Sequence, residues 1–117
     1  MLKGIVIHGD GIGKKLGFPT ANLDIDKKKC KFNPGVYAAK VLLDKKEYQG
    51  ALAIQEKNWK VEVHFLDYVG EDFYGSFIEV EPIQKVSEME GFSGENSLIE
   101  KINNDVEKVR EVFKVLS

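Results

Sequence analysis

The stretch of sequence that decides the fold is Trp59-Lys60-Val61-Glu62-Val63-His64-Phe65-Leu66. Its residues alternate, and a period of two places successive side chains on opposite faces of an extended strand. One face carries Trp59, Val61, Val63 and Phe65, and the other carries Lys60, Glu62, His64 and Leu66. The pattern therefore predicts a β-strand with one wholly apolar face.

Further strand-like segments surround this stretch and are separated by turn signals. They cover residues 5–8, 36–43, 47–54 and 76–82. Asn33-Pro34-Gly35 marks a turn before the second of them, because proline presets φ and glycine accepts the left-handed region. Asp44-Lys45-Lys46 is the polar link of a hairpin. Five or six short strands at close intervals predict a small β-barrel or sandwich.

The C-terminal third changes to a helical period. Apolar residues recur at steps of three and four, at Leu98, Ile102, Val106, Val109, Phe113 and Leu116. The polar face between them holds Glu100, Lys101, Asn104, Glu107, Lys108 and Glu111. Ser93, Asn96 and Ser97 all offer N-cap oxygens, and Ser97-x-x-Glu100 has capping-box spacing. The sequence predicts a long amphipathic helix that packs its apolar stripe on the β domain.

The composition is that of an ordinary globular domain. A chain of 117 residues predicts one domain over residues 1–117, and 43% hydrophobic with 31% charged residues argues against disorder. Seventeen Lys and Arg against nineteen Asp and Glu give a net charge of −2, which does not point to nucleic acid as a partner. We expect a monomer.

The sequence also bears on the compartment. Cys30 is the only cysteine, so a disulfide within the chain is impossible and a reducing compartment is expected. No apolar run approaches the ~20 residues that span a bilayer. Residues 1–4 lead directly into a strand-like segment rather than into a signal peptide. We expect a cytoplasmic protein without a membrane partner.

A glycine-rich segment, residues 8–22, is the first candidate for binding chemistry. Gly9, Gly11, Gly13 and Lys14 combine accessible backbone N–H groups with a positive charge, which suits a phosphate. The segment is not a P-loop, because Lys15 stands where Ser or Thr is required, and no helical pattern follows it as in a dinucleotide fingerprint. A purely structural turn remains the alternative.

Thr20 and Asn22 close this segment and form the second candidate. Two positions apart, their side chains lie on one face of an extended chain, and Pro19 favours an extended Phe18. A hydroxyl and an amide oxygen aimed together suit Mg²⁺, which also takes ligands from substrate phosphates. The alternative is an Asx- or ST-turn that closes the loop.

Glu62 is the candidate general base. It lies mid-strand between Lys60 and His64 on the same face, and a carboxylate on a strand is held more rigidly than one on a loop. The alternative is an exposed strand face with a cross-strand ion pair. His64 is expected to orient Glu62 or to pack.

Together these residues resemble the riboflavin kinase family. The resemblance is carried by residues 4–23, with Gly17-Phe18-Pro19-Thr20-Ala21-Asn22 at their centre, and by residues 34–38, 61–67, 72–75, 95–98 and 102–110. It implies a six-stranded antiparallel riboflavin-kinase-like β-barrel with a C-terminal amphipathic α-helix. The reaction it implies is transfer of the γ-phosphate of ATP to the 5′-hydroxyl of riboflavin, which gives FMN and ADP.

The resemblance also implies residue roles. Gly9, Gly11, Gly13 and Lys14 would hold the nucleotide phosphates, and Thr20 and Asn22 would bind Mg²⁺ and the terminal phosphate. Glu62 would accept the proton of the ribityl hydroxyl. The segment from Glu88 to Phe92 would border the isoalloxazine ring of the flavin.

The sequence departs from the family pattern in two places. Residues 55–58 replace a longer stretch that usually contains Asn-Ile-Gly and Pro-Thr, and residues 84–87 lack the family's arginine. Both departures concern binding more directly than the chemical step. They leave a second interpretation open, a non-catalytic flavin- or nucleotide-binding domain derived from a riboflavin kinase.

Overall fold

A computed structural model describes residues 1–7, 19–68, 73–89 and 94–116. Within these residues there are six strands and one long helix. The strands are β1 Leu2–Ile7, β2 Thr20–Leu23, β3 Gly35–Leu43, β4 Lys46–Gln55, β5 Lys60–Phe65 and β6 Phe77–Ser87. The helix, α1, spans Glu95–Leu116. A short 3₁₀ turn at Lys27–Lys29, where the sequence predicts only a loop, is closed by Asp26, whose carboxylate accepts from the Lys28 N–H.

The six strands form a closed antiparallel barrel in the order β1-β2-β5-β4-β3-β6, with β6 pairing back to β1. The barrel and the C-terminal helix confirm the predicted architecture. The hairpin between β3 and β4 turns on Asp44 and Lys45, both with positive φ, which is the geometry that matches the twist of the two strands.

Alternation places the core of the barrel as predicted. Val61, Val63 and Phe65 of β5 are buried with Leu52 and Ile54 of β4. Tyr48, Tyr68 and Phe73 pack around the Phe65 ring, with centroids 4.9–5.7 Å from it. The face opposite this core carries Glu62 and His64, and it is this outer face of the sheet that holds the candidate site.

Gly50 allows β4 to lie close to its neighbours. A Cβ at this position would lie 2.7 Å from Val63 Cγ1 and 3.2 Å from Val41 Cγ2, inside normal contact distance. The absence of a side chain at Gly50 therefore permits close packing of β4 against β3 and β5.

The predicted end of the last strand at Pro82 is wrong, because β6 continues to Ser87. Beyond Val80, among the described residues, β6 pairs with β3 but no longer with β1. Because there is no pairing with β1 at Pro82 in this part of the chain, its missing N–H interrupts no ladder on the β1 side. The register with β3 also shifts between Val36 and Tyr37 and between Ala38 and Ala39. Bulges of this kind accommodate proline and bend the strand.

Helix α1 packs its apolar stripe on the outside of the barrel. Ile102, Val106, Val109 and Phe113 are buried and form a cluster with Ala38, Ala51 and Leu66. Leu116, predicted to belong to the stripe, is 60% exposed because it is the last helical residue. The barrel therefore has an inner core and a second apolar layer beneath the helix.

Two of the three predicted N-cap candidates do not cap the helix. The helix begins at Glu95, so Asn96 and Ser97 lie inside its first turn, and Ser93 lies outside the described residues. The Gly94 carbonyl accepts the Leu98 N–H at 3.2 Å, as an N-cap residue does.

The sequence predicts Lys101 on the outer face, but its ammonium contacts the buried Asp105 carboxylate at 2.8 Å and the Ser87 hydroxyl at 2.8 Å. This network ties the helix to the end of β6.

In the part of the chain that the structure describes, no helix is long and apolar enough to cross a membrane.

Candidate functional site

The candidate site is a block of four polar residues on two neighbouring strands. In the antiparallel register of β2 and β5, Thr20 lies opposite His64 and Asn22 lies opposite Glu62. Residues directly opposite each other in such a pair have Cβ atoms about 4.5–5.5 Å apart, so their side chains adjoin. Ala21 and Val63, between the two pairs, point into the core. The four polar side chains therefore share the outer face.

Hydrogen bonds hold the chain on both sides of β2. The Phe65 N–H donates to the Pro19 carbonyl at 2.8 Å, immediately before Thr20. Beyond the other end of β2, the Trp59 indole N–H donates to the Ile25 carbonyl at 2.6 Å. The positions of Thr20 and Asn22 relative to Glu62 and His64 are thus set by a short strand anchored on both sides.

The four polar residues of the block are more deeply buried than is usual on the outer face of a barrel. Thr20, Asn22 and His64 are 8%, 7% and 5% exposed, and the Glu62 side chain is 18% exposed. Buried polar groups are retained where hydrogen bonds or a ligand compensate for lost hydration. The open, solvated strand face considered as the alternative for Glu62 is therefore wrong.

His64 joins the two rows of the block. Its Nδ1 lies 2.9 Å from Thr20 Oγ1, within hydrogen-bond distance, and its Nε2 lies 3.8 Å from Glu62 Oε1. The expectation that His64 orients Glu62 or packs is consistent with this position, while the contact with Thr20 was not foreseen. No sequence signal links the two residues, because the contact depends on the register between distant strands.

Lys60 adds a positive charge beside the Glu62 carboxylate. Its ammonium lies 3.6 Å from Glu62 Oε2, so each oxygen of the carboxylate faces a different basic side chain. Lys60 and Glu62 both lie on β5, so this ion pair is within one strand. The alternative interpretation of Glu62 predicts an ion pair between two strands. A carboxylate held from both sides keeps a defined orientation, as an acid–base group requires.

The same row of the sheet leads from Glu62 to the end of β6. Glu62 lies opposite Ala53 on β4, Ala53 opposite Val36 on β3, and Val36 opposite Ser87. Three strand spacings of about 4.8 Å give roughly 14 Å from Glu62 to Ser87. Two apolar residues therefore separate the carboxylate from the segment that begins at Glu88.

The other predicted site residues lie apart from this block or outside the described residues. Glu88 is exposed, and its carboxylate pairs with the Lys85 ammonium at 2.8 Å. Phe92 lies outside the described residues, as do Gly9, Gly11, Gly13 and Lys14. The structure thus brings together Thr20, Asn22 and Glu62, and the phosphate loop and the flavin-side residues remain predictions.

A cation at this block would be held mainly by neutral oxygens. Within the described residues there is no cluster of three or more His, Cys, Asp or Glu side chains with metal-site spacing. The Thr20 hydroxyl and the Asn22 amide, next to one carboxylate, resemble the sparse protein ligand sets of Mg²⁺ sites, where substrate phosphates and water complete the shell. The residues present fit that metal.

An ion pair links the helix to the end of β5. Arg110 of α1 contacts both carboxylate oxygens of Asp67, at 3.1 and 3.3 Å, just beyond the strand that carries Glu62. The hydrogen bond and the charge of Arg110 lower the pKa of Asp67, and the same contact raises the pKa of Arg110. Asp67 has positive φ, so the chain leaves β5 in a sharp bend that this pair supports.

Comparison with known proteins assigns the chain to a family. A family model described as riboflavin kinase (Flavokinase) matches residues 1–113. The chain therefore belongs to the riboflavin kinase family, and the predicted resemblance is confirmed.

Curated relatives include the bifunctional riboflavin kinase/FMN adenylyltransferases of Buchnera aphidicola, 35% identical over 98% of this chain, and of Bacillus subtilis, 32% identical over 98%. A trifunctional protein RibF/MnmA of Mycoplasmoides gallisepticum is 36% identical over 96% of this chain. The chain spans 39% of the length of each bifunctional relative and 18% of the trifunctional one.

Solved structures share the fold. Riboflavin kinase from Trypanosoma brucei matches with a TM-score of 0.68 and 27% identity, over 96% of this chain and 75% of that one. A Streptococcus pneumoniae protein titled a macrolide-efflux protein matches with a TM-score of 0.79 and 25% identity, over 92% of this chain and 37% of that one.

Proposed function

We propose that this chain is a riboflavin kinase that transfers the γ-phosphate of ATP to the ribityl 5′-hydroxyl of riboflavin. The observation that carries the proposal is the register of β2 and β5, in which Asn22 lies directly opposite Glu62 and Thr20 lies beside them. Phosphoryl transfer depends mainly on alignment and charge stabilisation, and this block offers oxygen ligands and a carboxylate on one rigid surface.

In the proposed reaction the ribityl 5′-oxygen forms a bond to the γ-phosphorus. At the same time the bond breaks between that phosphorus and the oxygen that bridges the β- and γ-phosphates. ADP leaves with the electron pair of the broken bond. Glu62 accepts the hydroxyl proton, because its carboxylate lies mid-strand and is orientated by Lys60 and His64. FMN and ADP are the products.

Thr20 and Asn22 would hold Mg²⁺ through the hydroxyl and the amide oxygen. When bound, the metal supplies charge neutralisation to the nucleotide phosphates. The protein contributes the fixed separation of these two oxygens from Glu62, which the anchored ends of β2 maintain. The glycine-rich segment with Lys14 would receive the remaining phosphate charge.

The flavin is proposed to lie along the row from Glu62 towards Glu88. Ala53 and Val36 provide a small apolar floor between the carboxylate and the end of β6. The span of about 14 Å is comparable with an extended ribityl chain plus a fused-ring system. The ring would then lie beside the segment from Glu88 to Phe92, with the ribityl hydroxyl at Glu62.

Incubation of the purified protein with riboflavin, Mg²⁺ and each of ATP, CTP and GTP, followed by chromatography of the flavins, tests this function and its nucleotide preference. FMN formation with at least one nucleotide supports the proposal. Absence of FMN with all three contradicts it.

One observation favours a second candidate, a flavin- or nucleotide-binding domain without turnover. β4 ends at Gln55 and β5 begins at Lys60, so only four residues connect them where the family pattern has a longer stretch. Quenching of flavin fluorescence or a thermal shift with FMN, without phosphorylation of riboflavin, would identify this candidate.

A further inference from the structure

We infer that two residues of α1, Lys101 and Asp105, are positioning residues for the flavin. They act through Ser87, the last residue of β6, which their side chains hold against the helix. Ser87 ends the row of outward-facing residues that begins at Glu62 and continues through Ala53 and Val36. The inference deepens the proposed function and rests on it, because it concerns the place where the isoalloxazine ring is proposed to lie.

The three side chains form a closed set of hydrogen bonds. The Ser87 hydroxyl donates to Asp105 Oδ1 at 2.7 Å and accepts from the Lys101 ammonium at 2.8 Å. The same ammonium donates to both carboxylate oxygens of Asp105, at 2.9 and 2.8 Å. Each proton of the ammonium and of the hydroxyl therefore has an acceptor within the network. Hydrogen bonds to charged groups are the strong ones, so the Ser87 side chain is held in one orientation.

Burial keeps the ion pair of this network closed. The Lys101 side chain is 12% exposed and the Asp105 side chain 7%. A buried charge that loses its partner is costly, so the two groups stay together. Both residues belong to α1, which packs on the barrel through Ile102 and Val106 between and beside them. The network therefore transmits the fixed position of the helix to the end of β6.

The other contacts at this end of β6 restrain it less. Lys85 pairs with Glu88 at 2.8 Å, but the Glu88 side chain is 75% exposed, and exposed pairs contribute little. The ladder with β3 shifts register between Val36 and Tyr37, immediately before the last pair, so it is irregular there. The contacts of Ser87 with α1 therefore supply a restraint that neither the exposed pair nor the ladder provides.

This restraint lies at the flavin end of the row and not at the nucleotide end. The next outward-facing row holds Ala38 and Ala51, which α1 covers, so the helix borders the proposed flavin floor on one side. A flat ring on Val36 would meet Ser87 and the helix at its far edge. Asn22, opposite Glu62, lies at the other end of the same row. A loosened Ser87 should therefore lower the affinity for flavin and leave the affinity for the nucleotide unchanged.

Ser87→Ala tests this split, because it removes the hydroxyl and leaves the ion pair of Lys101 and Asp105 in place. Ser87→Thr keeps the hydroxyl and is the matched control. We expect the Kd for riboflavin, measured by quenching of flavin fluorescence, to rise roughly five- to tenfold in Ser87→Ala and to stay within about twofold of wild type in Ser87→Thr. The Kd for ADP in Mg²⁺, measured by calorimetry, should be unchanged in both. An unchanged riboflavin Kd in Ser87→Ala, or an equal rise of both constants, would overturn the inference.

Methyl NMR of Met89 gives a second readout that needs no ligand. Met89 is half-buried two residues beyond Ser87, and it is one of two methionines in the chain, so Met89→Leu assigns its signal. We expect the methyl order parameter to fall in Ser87→Ala and not in Ser87→Thr; no fall in Ser87→Ala would contradict the restraint. Neither readout involves turnover. FMN formation with a riboflavin Kd that Ser87→Ala leaves unchanged would refute this inference alone, whereas the expected Kd changes without FMN formation would refute the proposed function alone.

Discussion

Asn22 and Glu62 lie directly opposite each other in the register of β2 and β5, on the outer face of the barrel. One residue offers an amide oxygen and the other a carboxylate, and both are largely withdrawn from water. The pairing places the proposed metal ligand directly beside the proposed base, on two adjacent strands. The proposed chemistry depends on this relationship more than on any one residue.

Replacing Asn22 should weaken binding of the Mg²⁺–nucleotide complex. Asn22→Ala removes one of the two proposed neutral oxygen ligands. We expect the Kd for ADP to rise roughly ten- to a hundredfold in the presence of Mg²⁺ and to change little without Mg²⁺. Calorimetry at fixed Mg²⁺ measures the effect. Asn104→Ala, on the exposed face of α1, is the matched control, and an equal loss in that variant would argue against a local role for Asn22.

A methyl group at position 50 should destabilise the barrel. In Gly50→Ala the new Cβ lies 2.7 Å from Val63 Cγ1, so β4 or Val63 must shift. We expect the free energy of unfolding to fall by about 1–3 kcal/mol in urea titrations. Gln49→Ala, exposed on the same strand, should stay within about 0.5 kcal/mol of wild type, and an unchanged Gly50→Ala would show that the strands are not tightly packed there.

The Lys101–Asp105–Ser87 network should behave as a unit. In Asp105→Asn the Lys101 ammonium, 12% exposed, loses its countercharge, and we expect a loss of about 3 kcal/mol in stability. The double variant Lys101→Met/Asp105→Leu should lose less stability than the sum of Lys101→Met and Asp105→Leu, because both charges leave together. Urea denaturation of the wild type, these two single variants and the double variant measures the coupling, and strict additivity would contradict it.

Acid should release the Asp67–Arg110 pair. Arg110 lowers the pKa of Asp67 below its ordinary 3.8, so the pair contributes stability above that pH and loses it as pH falls through the lowered value. The carboxylate is 75% exposed, so the contribution should not exceed about 1 kcal/mol. NMR titration of the Asp67 carboxyl should show its pKa rising towards 3.8 in Arg110→Gln; no rise would mean that the pair does not persist in solution.

Much of the fold could be predicted because its signals are local. Alternation along residues 59–66 was enough to identify β5 and its two faces, and the change of period identified the helix. The continuation of β6 past Pro82 could not be read locally, since it depends on bulges and on which neighbouring strand is present. Asp105, buried on the apolar stripe, was missed although Lys101 lies one helical turn before it, because the contact with Ser87 that completes the network depends on how the helix packs on β6.

The candidate site was predictable by residue type but not by arrangement. Thr20, Asn22 and Glu62 were singled out from their chemistry, spacing and family resemblance. That Asn22 would lie opposite Glu62, and Thr20 opposite His64, depends on a register between strands far apart in the chain. Val36 lies in the family-like residues 34–38, but the row in which Ala53 and Val36 join Glu62 to Ser87 depends on strand pairing and could not be predicted from the sequence.

Turnover by Glu62→Gln is the most direct measurement of the central claim. The substitution keeps shape and removes the basic carboxylate, so the FMN formation rate should fall about 10²- to 10⁴-fold while the Kd for ADP in Mg²⁺ stays close to that of wild type. Single-turnover flavin chromatography and calorimetry on the same preparation give both values. A Glu62→Gln protein that forms FMN at the wild-type rate would contradict the assignment of Glu62 as the base.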